Sequence, residues 1–168
     1  MSELLQSPSQ TSGPLFGFAL MFEGSAEAVP PGSPGAVRIE GLVIDGAGTP
    51  IYWPDCFVEF WHDGQWARAR TDRDGRYSVT VRKPEAQETP DGSVQAPHFN
   101  VAVFARGLLK QALTRVYFPD ETEANDADPV LELVPATDRE LLVARADGDA
   151  LLFDISLQGE NETPFFAF

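Results

Sequence analysis

Ala96-Pro97-His98-Phe99-Asn100-Val101-Ala102-Val103-Phe104-Ala105-Arg106-Gly107 reads as a β-strand running into a glycine turn. Phe99, Val101 and Val103 alternate with His98, Asn100 and Ala102. Side chains at i and i+2 of a strand share a face, so His98 and Asn100 point the same way, about 7 Å apart. Two imidazoles in that relation would form a His-x-His metal grip. An amide oxygen is a weak neutral ligand and suits a transition metal poorly. The pair is half of a metal site, and on its own terms His98 reads as a hydrogen-bonded structural histidine.

Short strands surround this one. Val37–Ile44 is the first, closed by the turn Asp45-Gly46-Ala47-Gly48-Thr49-Pro50. Cys56–His62 follows, with Cys56, Val58 and Phe60 on one face and Phe57, Glu59 and Trp61 on the other. Ala67–Thr71 is extended, Asp72–Arg76 turns, and Tyr77–Val81 is a strand. Lys83–Gln95 is polar loop, and Leu108–Phe118 holds another strand. Glu121–Asp128 is acidic without a basic residue and reads as a solvated loop or short surface helix. Thr137-Asp138-Arg139-Glu140 has the spacing of a capping box, with Thr137 as N-cap, and predicts a short helix over Leu141–Ala144. Leu151–Leu157 is the last strand, and the aromatic tail Pro164–Phe168 either packs on the domain or docks on a partner. Together these predict a mostly antiparallel β-sandwich with one short late helix.

The 168 residues suffice for one domain with a real core. A formal net charge of -14 argues against nucleic acid or an anionic membrane as partner. An anionic ligand would need a local Arg or Lys against that background. The single cysteine, Cys56, leaves no internal disulfide and fits a reducing compartment. No basic residue precedes Arg38, and no apolar run approaches a membrane span, so a full-length cytoplasmic protein is expected. Residues 1–36 form an arm and loop, and 37–168 the sandwich. Within the arm, Thr11, Gly13 and Pro14 give a rigid, turn-prone segment with little local reason to be helical. It is either a frayed terminus or tied down by burial of Leu15, Phe16, Phe18, Leu20 and Phe22.

Other chemistry is thin. Neither histidine sits in a nucleophile motif, phosphate-binding glycine loops are missing, and one cysteine cannot build a zinc site. Arg106 is either an exposed strand-end arginine or a planar fork for a carboxylate. Trp53, Trp61 and Trp66 read as core or interface anchors.

Several segments, in this order, resemble the intradiol ring-cleavage dioxygenases. They are Ser9-Gln10-Thr11-Ser12-Gly13-Pro14, Val58-Glu59-Phe60-Trp61, Ala96–Asn100 with Phe104-Ala105-Arg106-Gly107, Thr114–Phe118, Phe153–Glu160 and Glu162–Phe166. The resemblance covers roughly residues 7–168. In that family a catalytic chain holds non-haem Fe(III) through two tyrosines and a His-x-His pair. The matching positions here carry Gly64-Gln65-Trp66, Glu85-Ala86-Gln87, and His98 with Asn100. One ligand type of four remains, so the resemblance implies a chain with no catalytic residues and no metal of its own, with His98 and Asn100 as a vestige. It further implies a homologous β subunit that carries the Fe(III), an αβ protomer in a larger oligomer, and substrate pocket positions at Thr11, Gly13, Pro14 and Arg106. The implied reaction is cleavage of protocatechuate by O2, giving 3-carboxy-cis,cis-muconate. The loop after Trp61 is short for the family, and Leu15 stands where an aromatic residue is common, which would alter the pocket rim. Two other readings are a stand-alone β-sandwich binding module and a self-sufficient dioxygenase with unusual ligands.

Overall fold

The computed structural model of the chain describes residues 8–11 and 13–167; the side chains of Pro14 and Phe16 also lie outside the described residues. Two sheets face each other. One sheet is antiparallel throughout. Its strands are β2 (Cys56–His62), β3 (Gln65–Arg70), β7 (His98–Ala105) and β8 (Ala112–Tyr117), in the order β3-β2-β7-β8. The other is built on β1 (Ala36–Ile44), which pairs antiparallel with β4 (Arg76–Arg82) along one edge. Along its other edge β1 pairs in parallel with β10 (Ala150–Leu152) and then β11 (Ile155–Ser156), and β9 (Arg145–Asp147) lies outside β10. A small ribbon, β5 (Gln87–Glu88) with β6 (Val94–Gln95), stands apart.

The alternation seen in the sequence becomes the core. Ile39, Val43, Val79 and Val81 from one sheet meet Val58, Phe60, Phe99, Val101 and Val103 from the other, all buried. Cys56 is fully buried among them, and that burial pushes its thiol up to about 12. It is packed as a small hydrophobe.

The turns follow their chemistry. Asp72 accepts the amides of Asp74 and Arg76 through one carboxylate oxygen, and Gly75 supplies the positive φ of 75°. Asp45 does the same for Ala47 and Thr49, and those bonds lower its pKa.

The structure corrects several expectations. The sandwich is mostly antiparallel as expected, but the strand expected over Leu151–Leu157 is broken in two and runs parallel to β1. At the break the Phe153 amide donates to the Glu40 carbonyl at 2.7 Å, and Asp154 accepts the Leu42 amide at 3.0 Å. A carboxylate therefore takes one position in the ladder and bends the strand. Gly41 makes this possible, because a Cβ there would lie 1.8 Å from the Phe153 carbonyl oxygen.

No capping box forms. The Thr137 hydroxyl donates to Asp138 at 2.8 Å, and Arg139 turns back to the carbonyls of Val134 and Glu132. Arg139–Leu142 is a single 3-10 turn with no side-chain cap. It stops there because Leu142 is buried and the Ala144 amide joins the Tyr117 carbonyl.

The acidic segment takes the short-helix alternative, with Asn125 and Asp128 buried. Helix α2 (Thr122–Asp126, the second helix of the chain) follows Asp120 and Glu121, both paired with Lys83. Asp128 is fully buried and accepts four hydrogen bonds, from the amides of Ala96, Val130 and Leu131 and from the Tyr117 hydroxyl.

At the start of the chain, helix α1 (Pro14–Leu20) does form. Proline suits the first helical position, where its missing N–H has no partner to lose. Of the apolar residues expected to tie it down, Leu15, Phe18 and Phe22 are 84%, 59% and 60% exposed and Leu20 is half-buried, while the Phe16 side chain lies outside the described residues. The aromatic tail packs on the domain, with Phe165 against the main core and the Phe166 amide on the Leu113 carbonyl at 2.7 Å; Phe168 lies outside the described residues.

Candidate functional site

The turn that ends β7 is where two of the expected site residues, Thr11 and Arg106, come together. The Leu108 amide donates to the Ala105 carbonyl at 3.1 Å, closing a turn over Arg106 and Gly107. Gly107 has φ of 99°, which the third position of a type II turn requires and a side chain resists. This turn presents Arg106. Its amide donates to the Asp55 carbonyl at 2.8 Å, and its guanidinium lies 3.6 Å from the Asp55 carboxylate while 70% of the side chain stays exposed. The Gly107 amide donates to the Thr11 hydroxyl at 2.7 Å. Thr11 and Arg106, remote in sequence, are thereby neighbours. Gly13 is the extended residue before α1, and nothing crowds the place of its absent side chain. Pro14 opens the helix; its side chain lies outside the described residues.

Near this turn Phe57 stacks on Phe104 at 4.6 Å, and Phe18 meets Trp53 edge-on at 5.0 Å. The adjoining hollow, lined by Gln10, Phe104, Ala105 and Leu108, has a volume of only about 160 Å³. That is below the size of a pocket that encloses a small molecule. A larger hollow of about 570 Å³ lies away from it, along Asp45, Leu141, Asp154 and Gln158.

His98 lies at the other end of β7. It is buried, and its Nδ1 is 2.7 Å from the Ala96 carbonyl, which fixes that nitrogen as the N–H donor. The His62 ring meets it edge-on at 4.8 Å, and the Tyr117 ring is 5.7 Å away. Across the β7–β8 ladder Asn100 pairs with Arg115, which is only 7% exposed. Arg115 donates to Gln95 at 3.1 Å, and its Nε is buried without a partner. Burial first, and Arg115 second, pull the His98 pKa down to about 4, and burial lowers that of His62 as well. One imidazole, an amide and a guanidinium do not make up a donor set for a ferric ion, because the amide oxygen is a weak neutral ligand and the guanidinium has no lone pair to offer. Among the described residues no three His, Cys, Asp or Glu side chains converge. The position after Gly64 is also committed elsewhere, since Gln65 exchanges two hydrogen bonds with the backbone of Arg82.

Sequence reading did not find Arg115, Asp128 or Arg68. Each is a charged residue in an otherwise ordinary strand or loop, and only burial distinguishes it. The tryptophans divide: Trp66 lies under Arg68, whereas Trp61 is 48% exposed and belongs to no core.

Comparison with known proteins agrees with this architecture. No family model matches the chain. Among solved structures it is similar to a hydroxyquinol 1,2-dioxygenase from Pseudomonas putida DLL-E4, with a TM-score of 0.62 and 15% identity over 90% of this chain and 67% of that one. It is also similar to the dioxygenase domain of a dioxygenase–carbohydrate-binding fusion from Streptomyces sp. SirexAA-E, with a TM-score of 0.56 and 20% identity over 91% and 99%. The fold is that of the intradiol ring-cleaving dioxygenases. Sequence similarity narrows this. The chain is 36% identical to a protocatechuate 3,4-dioxygenase alpha chain from Burkholderia cepacia and 34% identical to one from Pseudomonas putida, in each case over 99% of its own length and at least 98% of theirs. It belongs to the family of protocatechuate 3,4-dioxygenase alpha chains.

Proposed function

We propose that this chain is the alpha subunit of a protocatechuate 3,4-dioxygenase, an O2-dependent intradiol enzyme. A related beta chain carries the non-haem Fe(III), and this chain supplies part of the wall of the substrate pocket. The similarity along the whole chain, at 36% identity, carries the reading. The ring carbon–carbon bond between the two hydroxyl-bearing carbons breaks, both atoms of O2 enter the product, and 3-carboxy-cis,cis-muconate results with no external reductant. The open turn at Arg106, too shallow to enclose a ligand alone, supports a pocket completed by a second chain.

In this reading Arg106 is the local positive charge that a formal net charge of -14 makes necessary for an anionic aromatic acid. Its guanidinium is exposed and only loosely held by Asp55, so it can turn its fork toward a carboxylate. Thr11, Gly13 and Pro14 form the adjoining rim, and residues 1–36 face the partner. The exposed Leu15, Phe18 and Phe22 are consistent with a surface that a second chain covers. His98 and Asn100 take no part in metal binding. No helix among the described residues is long and apolar enough to cross a membrane. A buried, unpaired Cys56 fits a cytoplasmic location.

The test is co-expression with a beta-type chain of the same family, followed by iron analysis and O2 uptake on protocatechuate. Iron and turnover are expected only with both chains present. Arg106→Gln in the two-chain enzyme is expected to raise KM about tenfold or more, the loss of a charge-assisted hydrogen bond. Iron bound stoichiometrically by this chain alone, with turnover, would overturn the reading.

A further inference from the structure

In the arm that brings Thr11 and Gly13 to the Arg106 turn, Leu15, Phe18 and Phe22 are mostly exposed, and polar contacts with the sheet hold it. Arg68 of β3 sits directly opposite Glu59 of β2. Its Nε donates to Glu59 Oε1 at 2.7 Å, and its Nη2 donates to the same oxygen. Its Nη1 reaches out of the sheet to the carbonyl of Leu20 at 2.7 Å. Leu20 is the last residue of α1, and its carbonyl is one that no helical amide satisfies. The guanidinium is fixed from both sides, by Glu59 and by the face of Trp66, whose centroid lies 4.6 Å away. The backbone of the same residue holds the arm again: the Arg68 amide donates to the Ser25 carbonyl at 2.6 Å, and the Ser25 hydroxyl returns a bond to the Arg68 carbonyl at 3.0 Å. Phe22, between these anchors, stacks on Trp66 at 6.0 Å.

We propose that Arg68 is a positioning residue for the substrate pocket: it clamps the C-terminal end of α1 and so sets where Thr11 and Gly13 stand beside Arg106. The two tethers bracket a helix of seven residues, about 10 Å long, from Thr11 on Gly107 to Leu20 on Arg68. A helix fixed at both ends cannot slide or swing at the rim. A hydrogen bond from a charged, largely desolvated donor is among the stronger single contacts available to such an arm. The sheet does not need this bond, because Glu59 and Trp66 would satisfy and cover the arginine without it. The reach to Leu20 therefore serves the arm.

The inference rests on the pocket reading of Arg106 and Thr11, and the experiment separates the two. Arg68→Gln, Arg68→Lys and Arg106→Gln are made in the two-chain enzyme. Each is measured for KM and kcat on protocatechuate and for hydrogen exchange over residues 8–20 and at Gly107. Arg68→Gln is expected to raise KM about fivefold with kcat within about twofold, and to speed exchange in the arm about tenfold. Arg68→Lys keeps a donor for Leu20 but loses the fork, and is expected to fall between. Unchanged exchange in the arm of Arg68→Gln overturns the clamp, as does an unchanged KM where Arg106→Gln raises it. A lowered kcat with unchanged KM also overturns it, since a merely structural role would give that. If Arg106→Gln leaves KM unchanged, the pocket reading fails, and arm exchange still decides whether Arg68 holds the helix. If Arg68→Gln does not assemble, Arg68→Lys carries the test, and wild-type KM and exchange in that variant overturn the proposal.

Discussion

The hydroxyl of Thr11 accepts the amide hydrogen of Gly107 at 2.7 Å, joining residues 96 positions apart. That bond makes one surface out of the amino-terminal arm and the turn carrying Arg106. Thr11→Val keeps the shape and removes the acceptor. Loss of one such bond, about 0.5–1.5 kcal/mol, is expected to raise KM for protocatechuate in the two-chain enzyme about two- to tenfold with little change in kcat. Steady-state O2 uptake checks it; a fall in kcat at constant KM would contradict it.

Asp128 accepts four hydrogen bonds in full burial, tying the loop before β7 to Tyr117 of β8 and to the turn at Leu131. Asp128→Asn replaces one acceptor oxygen with a donor that must face another donor. Destabilisation of about 2–4 kcal/mol is expected, read as a lowered denaturant midpoint. A midpoint equal to wild type would refute this account of the acidic segment.

Gly41 faces the Phe153 carbonyl so closely that a Cβ would stand 1.8 Å from its oxygen, and 2.9 Å from the Tyr77 hydroxyl. The obstacle is backbone, which cannot rotate away. Gly41→Ala is expected to cost about 3 kcal/mol or more, or to prevent folding, while Gly48→Ala, with open space around it, costs only the strain of its φ of 74°, about 1–2 kcal/mol. Comparative thermal unfolding of the two variants decides the point.

His98 gives a pH dependence with a definite sign. Burial and Arg115 depress its folded-state pKa from 6.5 to about 4, while Asp128 acts in the opposite direction and His62 adds to the depression. Between those values the unfolded chain binds a proton that the folded chain does not, so stability falls as pH drops through this window. The full loss from this group is about 3 kcal/mol. His98→Gln is expected to flatten that part of the curve between pH 7 and 4, measured as the difference between the variant and wild type in denaturant unfolding. Parallel curves would place the titration elsewhere.

How much of this was legible beforehand depends on the range of the interaction. The β7 alternation and the Asp45 and Asp72 turns were readable because each depends on a few adjacent residues. The capping box failed for a local reason that spacing does not reveal: Asp138 captured the Thr137 hydroxyl. The parallel pairing of β10 and β11 with β1 was invisible, since it depends on a carboxylate, Asp154, entering the ladder beside a glycine more than a hundred positions away. Arg68 and Arg115 look like any surface arginine until their neighbours are placed.

From residue order alone came the sandwich class and the kinship with ring-cleaving dioxygenases, because side-chain type and strand period are properties of short segments. Folding in three dimensions settled which distant groups meet: Thr11 with Gly107, Arg68 with Leu20, Asp128 with Tyr117. Those contacts depend on how two sheets and an arm pack, and a hydrogen bond is decided within a few tenths of an ångström, a precision that no pattern along the chain encodes.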